Sequence, residues 1–236
     1  MATITPHSTL GDIVVADPSL ARQLEQRRLD YCCGGSRTLE EACADHDLDA
    51  AAVAAELDAA RAERPAAGLT TMSAAELVDH PEATHHHYLW EELPRLSALM
   101  DKVRSVHGVR HPELDAISTC LAELRADLEP HLAKEERVLF PMIRELAGSS
   151  TAPSFHCGSL RNPISVMLRE HEGVGELLAR LRRLTADYTP PADGCASYTA
   201  LFRGLGELEA DTHLHVHKEN NVLFPMVERI EAELGS

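Results

Sequence analysis

An all-α protein is predicted, an up-down-up-down four-helix bundle preceded by a small helical N-terminal domain, and three features of the sequence predict it. Four stretches between residues 73 and 236 place leucine, valine, isoleucine and methionine at steps of three and four, the spacing of one buried helix face. The connections between them are modest, which favours antiparallel neighbours. A twelve-residue segment also occurs twice, as His131-Leu-Ala-Lys-Glu135-Glu-Arg-Val-Leu-Phe-Pro-Met142 and His215-Val-His-Lys-Glu219-Asn-Asn-Val-Leu-Phe-Pro-Met226. Eight of its twelve positions agree across an offset of 84 residues, the length of a duplicated helical hairpin with its loops.

The N-terminal segment, 1–64, carries Pro18 ahead of a short helix reaching about Asp30, then Tyr31-Cys-Cys-Gly-Gly35 and a helical patch from Thr38. An alanine-rich helix follows from Asp49, a good N-cap, to Arg64, with Pro65 as its stop. Residues 65–72 read as a linker, and Ser73 with Glu76 three residues later reads as a capping box. The first bundle helix then spans Ser73 to Ser105 with Leu89, Leu93, Leu96, Met100 and Val103 on one stripe. The second carries Leu114, Ile117, Leu121, Leu124 and Leu128; the third Ile164, Met167, Val174, Leu178 and Leu181; the fourth Leu201, Leu205 and Leu208.

With 236 residues the chain holds one large domain, or a medium domain and a small one. Its residues are 44% hydrophobic and only 4% aromatic, which suits a helical core of Leu, Val, Ala and Met. A net charge of −16 argues against nucleic acid and anionic membranes as partners, since both need a basic face. No stretch approaches the roughly 18–20 apolar residues of a membrane span, and no signal peptide is visible. A cytoplasmic protein with six reduced cysteines is therefore expected.

Polar residues stand where the stripes call for leucine. His131 and Glu135 continue the second stripe, His215 and Glu219 the fourth, and His171 sits in phase on the third. At i and i+4, each His-x-x-x-Glu projects an imidazole and a carboxylate side by side. On the first helix the leucine stripe leads back to His86, whereas the 84-residue offset from His171 points to His87. One histidine on an apolar face is usually a hydrogen-bonded core residue, and one His-x-x-x-Glu is commonly a surface pair. Two near-identical copies with a histidine in phase on each other helix fit neither description. Burying four imidazoles and two carboxylates without partners costs several kcal/mol per unpaired charge, and metal coordination removes that cost. Nitrogen and carboxylate donors without thiolate suit iron or manganese, and two glutamates suit a pair of ions. His107 lies on the first stripe and Glu170 beside His171, so both are candidates to orient or join the ligands. The remaining histidines, His7, His46, His80, His111, His156, His213 and His217, keep no consistent phase and are expected at the surface. Pro130, immediately before His131, is expected to kink its helix.

Adjacent Cys32 and Cys33 are too close for an unstrained mutual disulfide, so they read as redox or metal-binding thiols, or as two small buried residues before a turn. Cys43, Cys120, Cys157 and Cys195 belong to no motif and read as structural.

Asp30-Tyr-Cys-Cys-Gly-Gly35 with Thr38-Leu39, Glu92-Leu-Pro94, Lys134-Glu-Glu136 with Val138-Leu-Phe-Pro-Met142, Pro163-Ile-Ser-Val-Met167 with Glu170-His171, and Glu219-Asn-Asn-Val-Leu-Phe-Pro225 together resemble the repair-of-iron-centres family. These are hemerythrin-like di-iron proteins that help recover iron–sulfur clusters after nitrosative or oxidative damage. The resemblance implies two iron ions, oxo- or hydroxo-bridged, on His86, His131, His171, His215, Glu135 and Glu219, and its spacing back from Pro94 selects His86. It also implies damaged iron–sulfur proteins as partners, nitric oxide or oxygen as small ligands, and a role for Cys32 and Cys33 in nitric oxide or iron handling. An enzyme reducing nitric oxide to nitrous oxide, and an oxygen or nitric oxide sensor or carrier, are the competing functions; His107 as a fifth histidine would favour the carrier. About 60 residues without a disulfide bury little core, which makes a homodimer through the N-terminal segment an expectation.

Overall fold

The computed structural model describes residues 3–62 and 72–235, and all their named elements are helical. The helices are α1 (Leu10–Ala16), α2 (Ala21–Gln26), α3 (Leu39–Ala44), α4 (Ala50–Ala62), α5 (Ala74–Pro81), α6 (His87–His107), α7 (Glu113–Lys134), α8 (Phe140–Gly148), α9 (Arg161–Leu184), α10 (Ala196–Lys218) and α11 (Phe224–Leu234). Three five-residue π turns, Glu82–His86, Glu135–Leu139 and Glu219–Leu223, join α5 to α6, α7 to α8 and α10 to α11. Residues 65–71 of the expected linker lie outside the described residues. No described helix is long and apolar enough to cross a membrane.

The residues cluster into two compact units. One comprises His80–Met142 and Asn162–Thr212. Its core joins the stripes of four helices: Leu89, Leu93 and Leu96 from α6, Leu114, Ile117, Leu121, Leu124 and Leu128 from α7, Val174, Leu178 and Leu181 from α9, and Leu201, Leu205 and Leu208 from α10. This is the bundle that the three-and-four spacing predicts. Buried Glu209 on α10 is paired with Arg182 on α9, which offsets the cost of a carboxylate among leucines. After α9, Ala186, Asp187 and Tyr188 all take positive φ, and Thr185 Oγ1 accepts the Tyr188 amide to close the turn.

The other unit comprises Met1–Asp79, Ile143–Arg161 and His213–Ser236. Its core combines Leu10, Ile13 and Val14 of α1 with Leu24, Leu39, Cys43, Leu57 and Val216. The expected caps are present. Thr38 and Glu41 form a capping box on α3, Asp49 Oδ1 accepts the Ala51 amide at 2.9 Å, and Ser73 exchanges hydrogen bonds with Glu76.

Candidate metal centre

Each π turn abuts a residue of the predicted ligand set. The first ends at His86, while the second and third begin at Glu135 and Glu219. The Phe140 amide bonds to the Glu135 carbonyl and the Phe224 amide to the Glu219 carbonyl, each spanning five residues instead of four. Such widened turns are rare and concentrate at functional sites. The duplicated Leu-Phe-Pro helps explain two of them, because Pro141 and Pro225 donate no amide to the preceding turn and need room for their rings.

In the bundle unit, three imidazoles gather around Glu135. His86 Nε2 stands 3.4 Å and His131 Nε2 3.3 Å from Glu135 Oε2. His171 Nε2 lies 3.1 Å from His131 Nε2, the two rings meeting edge to face. Donor atoms of His131, Glu135 and His171 all lie within 4.8 Å of one another. All four side chains are at most 1% exposed.

Outer carboxylates set the tautomers. His131 Nδ1 donates to Glu170 Oε2 at 2.9 Å, and Lys134 binds the other Glu170 oxygen. His131, helped by Lys134, holds the Glu170 carboxyl down to about 2, so Glu170 is an anion that accepts. His86 Nδ1 is 3.1 Å from Glu136 Oε1, which also accepts the Trp90 indole N–H at 2.8 Å. With the proton on Nδ1, each ring turns an Nε2 lone pair inward, and a cation is the group that satisfies converging lone pairs. The His86 ring also stacks on Phe140, with centroids 5.3 Å apart.

Among the three consecutive histidines, only His86 is aimed at Glu135. His85 Nδ1 bonds Asp211 at 2.8 Å, and exposed His87 faces Glu91 at 3.6 Å. α7 runs through Pro130 without interruption and still delivers His131 to Glu135. Glu170 meets His131 rather than its neighbour His171. His107 requires a correction. Its Nε2 lies 3.2 Å from Cys195 Sγ and its ring stands edge-on to Tyr198. The 21 residues of α6 separate it from His86 by about 30 Å at 1.5 Å per residue, so it neither ligates nor orients the ligands.

In the other unit, His215 Nε2 and Glu219 Oε1 are 3.0 Å apart, both with 0% exposure. His217 also departs from expectation, being fully buried instead of at the surface. Its ring packs edge-on against Tyr31, and burial pushes its imidazole down to about 4, leaving it neutral. His111 is held by Glu113 and Asp193 at 2.9 and 3.1 Å, and half-buried His213 approaches Glu25. Trp90 and Glu136 are participants to which the sequence assigned no role, although Glu136 stands in the Lys134-Glu-Glu136 motif.

Cys32 and Cys33 form no disulfide, and their sulfurs are 3.7 Å apart. Asp30 organises their loop. Its Oδ1 accepts the Cys32 and Cys33 amides at 3.0 Å and the Cys32 thiol at 3.2 Å, and its Oδ2 accepts the Gly34 amide. The hydrogen bond with Cys33, then burial, push the Cys32 thiol up.

Residues 78–227 match the model of the hemerythrin HHE cation binding domain, and residues 6–61 match a domain of unknown function, DUF542. The chain is 38% identical over 217 residues to the iron-sulfur cluster repair protein YtfE of Enterobacter sp. strain 638, covering 92% of this chain and 94% of that one. Its identity to the protein of the same name from Musicola paradisiaca is 35% over 225 residues, covering 95% and 97% of the two chains. The chain belongs to the repair-of-iron-centres family. As a repair-of-iron-centres protein with a hemerythrin domain, its buried His/Glu groupings have the donor set of a di-iron site: imidazole nitrogen and carboxylate oxygen, with no thiolate among them.

Proposed function

We propose that the protein is a di-iron protein that repairs iron–sulfur clusters damaged by nitrosative or oxidative stress, acting on the damaged proteins as partners. In this reading His86, His131, His171, His215, Glu135 and Glu219 would hold two iron ions. The observation that carries it is the convergence of three buried imidazoles on Glu135, in a chain whose relatives are named for cluster repair.

When bound, iron supplies an exchangeable, redox-active metal that nitric oxide can reach. The protein does the rest. Glu170 and Glu136 keep the protons of His131 and His86 on Nδ1, so Nε2 stays available. Phe140 fixes the His86 ring and keeps water from its face. Imidazole and carboxylate hold ferrous iron less tightly than a thiolate cage, which leaves the metal transferable to a cluster in need of it. A cytoplasmic setting, where thiols stay reduced, suits Cys32 and Cys33 as a pair without a disulfide.

Anaerobic reactivation of a nitric-oxide-inactivated iron–sulfur hydratase by the iron-loaded protein tests this, with iron counted on both proteins. Recovery of the hydratase matched by loss of iron from the repair protein is the expected result. No recovery, with the iron retained, overturns it. Nitrous oxide formed over many turnovers would mark a nitric oxide reductase instead.

A further inference from the structure

The two copies of the repeat differ at four positions, and in the second copy all four face the cysteine-bearing segment. Leu132, Ala133, Glu136 and Arg137 of the first copy correspond to Val216, His217, Asn220 and Asn221 of the second. In the first, Leu132 lies in the bundle core, Glu136 holds His86, Ala133 is half-buried and Arg137 is exposed. In the second, Val216 packs in the core that contains Leu10, Leu24 and Leu39. His217 Nδ1 lies 3.3 Å from the Tyr31 carbonyl. Asn220 Nδ2 donates to the Cys32 carbonyl at 3.3 Å, and Asn221 Nδ2 donates to the same oxygen at 3.1 Å.

Glycines close the grip on Asn221. A Cβ on Gly35 would stand 2.3 Å from Asn221 Oδ1 and 2.7 Å from the Tyr31 carbonyl, and one on Gly11 would stand 2.7 Å from that same Oδ1. The Gly11 amide also bonds the Gly35 carbonyl at 2.8 Å, so both walls are fixed to each other. Asn221 is itself the third residue of the π turn that begins at Glu219. The Cys32 peptide is therefore bonded to a side chain two residues from a predicted metal ligand, on the same widened turn.

We infer that Asn221, supported by His217 and Asn220, is a positioning residue that couples the Cys32–Cys33 pair to Glu219, so that a soft ligand bridging both thiols alters how Glu219 holds metal. The inference rests on the di-iron reading for its consequence at the metal, though not for the coupling itself. The sulfurs already stand 3.7 Å apart, and bridging removes the thiol proton that Cys32 donates to Asp30 Oδ1, the atom that also accepts the Cys32 and Cys33 amides. With that donor gone Asp30 resettles on the loop amides and shifts the Cys32 peptide, and the two asparagines on its carbonyl pass the movement to the π turn. The ligand class is a thiophilic cation or a soft electrophile able to take two thiolates. Phenylarsine oxide is a suitable probe: two sulfur–arsenic bonds form, the arsenic–oxygen bond breaks, and that oxygen leaves as water with both thiol protons. Nothing is oxidised or reduced.

The test uses the full chain, loaded with ferrous iron under anaerobic conditions, as the native protein, Asn221→Leu and the double variant Cys32→Ser/Cys33→Ser. Mössbauer spectra and the rate of iron transfer to a chelator are recorded before and after one equivalent of phenylarsine oxide. In the native protein the arsenical should change the signal of the iron held by Glu219 and shift the transfer rate at least threefold. In Asn221→Leu, mass spectrometry should still find the arsenical bound while the iron signal and transfer rate stay put. The double cysteine variant should bind no arsenical. An unchanged iron signal and rate in the arsenical-bound native protein, or an equal response in Asn221→Leu, overturns the inference. Hydrogen exchange of the Phe224 amide, bonded to the Glu219 carbonyl, repeats the comparison without metal. Failure to load iron would thus defeat the functional reading while the coupling is still decided. Gly35→Ala, which displaces Asn221 from the loop side, should uncouple as Asn221→Leu does; a Gly35→Ala protein with the full native response also overturns the inference.

Discussion

His131 Nδ1 and Glu170 Oε2 lie 2.9 Å apart, and this one hydrogen bond decides which nitrogen of His131 faces Glu135 and His171. Glu136 does the same for His86. The two bonds turn a set of buried histidines into a set of oriented donors.

Removing either carboxylate should loosen the metal without unfolding the bundle. Glu170→Ala and Glu136→Ala are each expected to weaken ferrous iron by ~10–100-fold, measured by chelator competition. The glutamine variants should lose less, because an amide oxygen still accepts the imidazole N–H. His87→Asn, at an exposed side chain, should change nothing. Native affinity in both alanine variants would contradict the assignment of these roles.

Iron should also stabilise the folded chain. The predicted ligands are among the most deeply buried polar groups of the protein, and metal binds the folded state in preference to the unfolded one. The gain is about 2.7 kcal/mol when free ferrous iron stands a hundredfold above its dissociation constant. Calorimetry with increasing iron should therefore show a rising Tm, and chelation should reverse it. A melting temperature indifferent to iron argues that the site is no metal site.

The six thiols should react in a definite order. Cys195 is exposed, and the amides of Tyr198 and Ser197 hold its thiol below the ordinary value. Cys32 is buried and its thiol is pushed up, and Cys43 and Cys120 are likewise buried with raised thiols. Timed iodoacetamide labelling at neutral pH should find Cys195 modified first, with Cys32, Cys43 and Cys120 last. Early labelling of Cys32 would mean that its loop opens away from Asp30.

A pH effect is expected at the far end of the bundle. Glu113, then Asp193, raise the His111 imidazole above its ordinary 6.5. A raised imidazole contributes stability that is fully present below 6.5 and is lost as pH rises through the folded value. Relative to His111→Asn, the native protein should lose Tm as pH rises from 6.5 through the raised folded value. Parallel melting curves for the two proteins over that range would remove His111 from the account.

Much of this architecture can be read from residue spacing. The leucine stripes mark the bundle core, Asp49 and Ser73 mark helix starts, and the in-phase His131, Glu135 and His171 meet around one carboxylate. The π turns could not be read this way, because a three-and-four pattern does not register one extra residue per turn; Pro141 and Pro225 are their only trace. His107 misled because a core stripe extends the full length of α6, far beyond any site upon it. His217 was missed because periodicity identifies the face that meets the bundle, and His217 is buried on another face by Tyr31, a residue 186 positions away.

The iron content of the anaerobically reconstituted chain tests the central claim most directly, taken for the native protein, Glu135→Ala and Glu219→Ala. Two ions per native chain are expected, with at least one lost in either variant while the helical circular dichroism spectrum is unchanged. A native chain that keeps no iron, or a variant that keeps both ions, contradicts the account.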